Sequence, residues 1–131
     1  MRRNYDIIRH ILLCLEMQND KTTIAECIER LNRNSDLDEE IRDWRGSLNA
    51  HMLLLHDAGL IAAERFETQA GEKVILFERI TLDGYDFLDL VRDNAVWKEV
   101  KERLKAAGGS ASLPIIKAVA ESVIKSMLQL A

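Results

Sequence analysis

The chain has 131 residues, of which 18 are Lys or Arg and 22 are Asp or Glu, for a formal charge of −4. That length suits one domain with appendages and is too short for two ordinary ones. With 47% apolar and 31% charged residues, the composition excludes a disordered or membrane chain, and the negative balance argues against an indiscriminate nucleic-acid binder, which is usually basic.

No run approaches the roughly 20 apolar residues of a membrane span. The start, M-R-R-N-Y-D, carries an acid where a signal peptide needs an apolar segment, so a cytoplasmic location is expected. Cys14 and Cys27 both fall in helical patterns and read as reduced core thiols.

From Asn4 to Met17, Ile7, Ile8, Ile11, Leu12, Leu15 and Met17 recur at a helical period, with Arg3, Arg9 and Glu16 outside it. Thr23 and Glu26 form a capping-box pattern for a second helix from about Ile24 to Leu31. The polar stretch Asn32 to Glu40 is an exposed connection. Its acids Asp38, Glu39 and Glu40 suit the start of a third helix electrostatically and need no cation to explain them.

The third helix spans Ile41 to Ala58, with Trp44, Leu48, His51, Leu55 and Ala58 as its buried stripe. Arg42, Arg45, Asn49, Leu53 and His56 fall on the opposite face. Gly59 supplies a left-handed cap. Leu60 to Thr68 and Lys73 to Ile80 then read as a hairpin with Gly71 in its turn. Three helices followed by a hairpin is the winged-helix order, and the fold class expected is mainly α (α+β), a winged helix-turn-helix over residues 1–80 with a helical extension over 81–131.

In the extension, Thr81 can cap a helix with Leu82, Tyr85, Leu88 and Val91 on one face. Asn94 can cap the next, whose apolar face is Trp97, Val100 and Leu104 and which Gly108-Gly109 ends. Ser112 and Pro114 start a last helix from Leu113 to Leu130. Its apolar stripe, with Ile116, Val119, Ala120, Val123 and Met127, is wide for a small domain. It reads either as wrapping back over its own core or, the reading preferred, as a homodimer seam.

The stretch A-H-M-x-x-L-x-x-A-G-L-I from Ala50 to Ile61 is similar to the end of the recognition helix in bacterial winged-helix repressors, including arsenic-repressor-type sensors. With I-T-L-D-G-Y-D-F-L-D-L-V-R-D from Ile80, the opening R-R-N-Y-D-I-I-R-H-I-L-L and the closing helix around Ile116 and Ala120, the chain resembles the bacterial and prophage family called domain of unknown function twenty-five thirteen. Lys21 to Trp44 departs from the pattern. The resemblance implies a winged helix with a helical extension and supplies no catalytic residue.

His10 and Cys14 are four apart, a spacing that can share a metal. Each lies in an apolar helix without a C-x-x-C or H-x-x-x-H partner, so no metal and no cofactor are expected. His51 reads as a hydrogen-bonded core histidine. No nucleophile has a base and orienter beside it, and no phosphate loop is present, so the protein is expected not to be an enzyme.

Two partner classes remain. For double-stranded DNA, Arg42, Arg45, Asn49 and His56 would face the duplex, with Arg65 and Lys73 on the wing and Arg2, Arg3 and Arg9 touching phosphates. Against it stand Leu53 in the middle of that face and Glu64, Glu67, Glu72 and Glu78 in the wing. A protein adaptor or phage-encoded inhibitor using this apolar and acidic surface is the rival.

Overall fold

The computed structural model describes residues 3–17, 48–108 and 111–129. The second helix, the polar connection, Cys27, and the start of the third helix with Arg42, Trp44 and Arg45 lie outside the described residues. The described elements are α1 (Tyr5–Met17), α2 (Leu48–Asp57), β1 (Ile61–Glu67), β2 (Lys73–Ile80), α3 (Leu82–Val91), α4 (Asn94–Ala106) and α5 (Leu113–Gln129). The fold is mostly helical with one two-stranded antiparallel sheet, an α+β arrangement. The chain divides into two compact units, residues 1–85 and 86–131.

In the first unit, α1 starts where Asn4 Oδ1 accepts from the amides of Asp6 at 2.9 Å and Ile7 at 3.4 Å. This satisfies N–H groups that a helix start leaves open. Ile7, Ile8, Ile11, Leu12, Cys14 and Leu15 are buried as the period predicts. Arg9 is buried as well, at 4% exposure, so it is not the surface cation expected. Met17, at the helix end, is exposed.

His51, Met52 and Leu55 form the buried side of α2. Full burial of a side chain such as Leu55 stabilises the fold by about 1.5–3 kcal/mol. Of the expected stripe, Leu48 is half-buried and Ala58 exposed, while Met52 joins the core. The helix ends as its glycine predicts. Gly59 sits at φ +75°, its amide donates to His56 O at 3.0 Å, and Leu60 N donates to Leu55 O at 3.0 Å. These bonds close the last turn and aim the chain into the hairpin. Leu60 is therefore part of the helix cap, which is why β1 begins one residue later than its apolar character suggests.

β1 and β2 pair from Ile61↔Ile80 to Glu67↔Lys73, with a bulge at Ala62/Ala63 that leaves Glu78 unpaired. Thr68 belongs to the turn: its amide donates to Glu72 O at 2.8 Å, and Gly71, at φ +83°, donates to Thr68 O at 2.9 Å. At the hairpin base, Thr81 N donates to Leu60 O at 3.1 Å and Thr81 Oγ1 donates to Gly59 O at 2.5 Å. The same hydroxyl oxygen accepts from Gly84 N at 3.1 Å, capping α3 as expected.

The apolar face of α3 is set differently from the expectation. Leu82 and Tyr85 are exposed, whereas Gly84, Phe87, Leu88 and Val91 are buried. A side chain at position 84 would place its Cβ 2.0 Å from Leu60 O and 2.7 Å from Ile80 Cγ2, so the buried face runs through a residue without a side chain. Counting apolar side chains misses such a position.

In the second unit, α4 is capped by Asp93, whose Oδ1 accepts from Val96 N at 3.0 Å. Asn94, expected as the cap, is the first helical residue. Val96, Trp97 and Val100 are buried, and α4 packs on α5. Arg103 Nε donates to Glu99 at 3.2 Å and its guanidinium to Ser122 Oγ at 3.3 Å. Ile116 N donates to Ser112 O at 3.0 Å where α5 starts. Among the described residues, no helix is long and apolar enough to cross a membrane.

Candidate functional site

α2 and the hairpin after it hold Asn49, Leu53, His56, Arg65 and Lys73 of the residues that the sequence singles out for binding. Asn49 and Asp57 are eight residues apart, roughly 12 Å along the helix and on one side of it. Both are exposed, and both reach the hairpin. Asn49 Nδ2 donates to Lys73 O at 2.8 Å. Arg65 donates to Asp57 Oδ1 at 2.6 Å, with the two side chains 41% and 55% exposed. An exposed pair of this kind contributes about 0–1 kcal/mol, so it orients the hairpin more than it stabilises the fold.

The two bonds change what this face can do. Asn49, read as an adenine-recognising amide, has a donor committed to the backbone at the start of β2. Arg65, read as a wing cation, has its charge offset by Asp57. Leu53 and His56, between them on the helix, are half-buried, and His56 Nδ1 is a buried atom without a hydrogen-bond partner. Lys73 is exposed. Arg42, Arg45 and Arg2 lie outside the described residues. Arg3 is exposed, its guanidinium 5.3 Å from the centre of the Tyr5 ring.

The hairpin has two unlike faces. Ile61 and Ile80, then Ala63 opposite Phe77, Arg65 opposite Ile75 and Glu67 opposite Lys73, lie on the side that carries the Arg65–Asp57 pair. The other side carries Ala62 opposite Arg79, Glu64 opposite Leu76, and Phe66 opposite Val74. Phe66 is 46% and Leu76 53% exposed. Sequence reading noted the acids of this hairpin and missed its outward apolar residues. The signal was the unbroken run Val74-Ile75-Leu76-Phe77: a strand covered on one face alternates, so a continuous run supplies apolar side chains to both.

The remaining candidates sit elsewhere. His51 is 1% exposed and accepts from Asn4 N at 3.2 Å through Nε2, the hydrogen-bonded core histidine expected. His10 Nδ1 is 2.7 Å from Asp6 O, and Cys14 is buried. Among the described residues, no group of three His, Cys, Asp or Glu side chains comes together to hold a metal.

The residues expected to form a homodimer seam differ in their burial. Ile116, Ala120 and Val123 are at most 1% exposed within the single chain. Val119 is half-buried and Met127 exposed. The other large apolar residues exposed on α5, Ile115 and Leu128, are thirteen positions apart and roughly 140° apart around the helix. They do not extend one stripe.

Comparison with known proteins gives a family but no activity. A family model described as "Hypothetical protein (DUF2513)" matches residues 2–110. An "Uncharacterized protein" of Haemophilus influenzae (strain Rd) is 33% identical over 129 residues, covering 98% of this chain and 99% of that protein. No solved structure matches.

Proposed function

The chain belongs to the DUF2513 family, and on that footing we propose that it is a non-enzymatic winged-helix module of bacterial or prophage origin that acts in the cytoplasm by contacting another protein. The observation that carries this reading is the exposed apolar side of the hairpin, Phe66 and Leu76 beside Val74. A strand face built to touch phosphate carries cations there, because phosphate neutralisation supplies the affinity. Further support comes from the Asp57–Arg65 pair and from the burial of Arg9, which take two cations away from any duplex. Self-association through α5 is not part of the proposal, since three of its five expected residues are interior.

The second reading, a DNA-binding or transcription-linked module, is favoured by one arrangement: α2 runs through the Gly59 cap directly into the hairpin, with Arg42 and Arg45 just upstream in the sequence. A helix followed by a hairpin is the order that a winged-helix reader of the major groove uses.

Binding to mixed duplex DNA at two salt concentrations separates the two. The protein-contact reading expects no appreciable binding at low salt. Tight binding that falls steeply with salt and weakens on Arg45→Ala or Asn49→Ala reverses the preference.

A further inference from the structure

The outward side of the hairpin presents a small apolar patch. Phe66 stands directly opposite Val74, and Leu76, the next residue on that side of β2, stands opposite Glu64. Directly opposed and diagonal side chains on a two-stranded ribbon are within reach of one another, so the three form one cluster. Exposures of 46% for Phe66 and 53% for Leu76 leave its rim open to solvent.

Charge selects what can cover it. Residues 61–80 carry Glu64, Glu67, Glu72 and Glu78 against Arg65, Lys73 and Arg79, and Arg65 is held by Asp57. Around the patch, Glu64 borders Leu76 and Phe66, Glu72 lies in the turn beyond Val74, and the unpaired Glu78 sits at the bulge. All three are exposed. The cation on this side, Arg79, stands at the hairpin base opposite Ala62.

We infer that this face docks a basic amphipathic segment of a partner protein. Apolar side chains of the segment cover Phe66, Val74 and Leu76, and flanking Lys or Arg residues meet Glu64, Glu72 and Glu78. The inference rests on the protein-contact reading above and names the surface and the chemistry of the partner. An acidic segment meets Glu64, Glu72 and Glu78 against Arg79 at the hairpin base, and a duplex places its phosphates against the same acids.

The test uses the full chain and a labelled synthetic peptide alternating leucine with lysine, with a leucine–glutamate peptide as control, read by fluorescence anisotropy. The basic peptide is expected to bind and the acidic one not. Phe66→Ser and Leu76→Ser should each weaken binding by roughly tenfold, and Glu64→Gln with Glu78→Gln by a smaller factor with a shallower salt dependence. Both apolar residues are exposed, so circular dichroism should not change and the unfolding midpoint should fall only slightly through the lost cross-strand contact, which separates a lost binding contact from a lost fold.

Equal binding of the two peptides, or binding unchanged by the Ser variants, overturns the inference. So does a doubling of mass in light scattering that Leu76→Ser abolishes, because a second copy then occupies the face. Steep salt-dependent binding of duplex DNA instead overturns the functional reading itself, whatever the peptides do.

Discussion

The backbone amide of Asn4 donates to Nε2 of His51, 3.2 Å away and 47 residues along the chain. An accepting Nε2 carries no proton, so the neutral ring of His51 has its hydrogen on Nδ1. The side chain of Asn4 meanwhile caps α1. One residue thus starts the first helix and, through its own amide, fastens it to α2.

Replacing His51 with Leu keeps an apolar body and removes the acceptor, leaving the Asn4 amide unsatisfied. A loss of about 1–3 kcal/mol is expected, read as a lower urea midpoint. Asn4→Ala, which keeps the amide and removes the cap, should cost about 0.5–2 kcal/mol. A His51→Leu chain as stable as the parent would mean that the bond does not fasten the helices.

Gly84 cannot accept a side chain without backbone movement, because its Cβ would meet the Leu60 carbonyl. Gly84→Ala should lower stability by at least about 1–3 kcal/mol. Gly71→Ala meets nothing within 4 Å and bears only the strain of φ +83°, an expected loss of about 1 kcal/mol. Thermal unfolding of the two variants side by side distinguishes crowding from backbone strain.

The bonds that hold the hairpin to α2 are exposed and individually weak. Asp57→Asn or Asn49→Ala should each change global stability by no more than about 1 kcal/mol. Amide exchange along β2, from Lys73 to Glu78, is the sensitive readout: it should quicken in the double variant while exchange in α1 stays unchanged. Uniform quickening across the unit would show that the bonds support the core rather than orient the hairpin.

Ile116 and Met127 were expected to share one role, and the fold separates them. Ile116→Ala should cost about 2–5 kcal/mol by opening a cavity, whereas Met127→Ala, at an exposed position, should stay within about 0.5 kcal/mol. Urea unfolding at two protein concentrations supplies the check. A midpoint for Ile116→Ala that rises with concentration would return this residue to an interface between copies.

Much of the local structure was legible because it depends on neighbours in sequence. The α1 period, the Gly59 exit from α2, Gly71 in the turn, and Thr81 as a cap each rest on a dihedral preference or a bond within a few residues. Asp93 against Asn94 was misjudged by one position, since either side chain can cap and only the observed φ and ψ show which residue stands outside the helix. The candidate surface was legible in its membership and not in its state. Asn49, Arg65 and Lys73 were singled out, but that Asn49 meets the Lys73 carbonyl and Arg65 meets Asp57 depends on how the hairpin lies along the helix.

By itself, then, the sequence determined which of the described stretches are helix and strand, their ends to within a residue or so, and that His51 belongs inside, because periodicity and turn chemistry act over short distances. Only the tertiary structure decided that Gly84 lies on the buried face of α3, that Arg9 is enclosed, that Ile116, Ala120 and Val123 are interior, and that Phe66 and Leu76 face outward. Burial is a property of what arrives from elsewhere in the chain, and an apolar residue carries no mark of whether its own fold or another molecule will cover it.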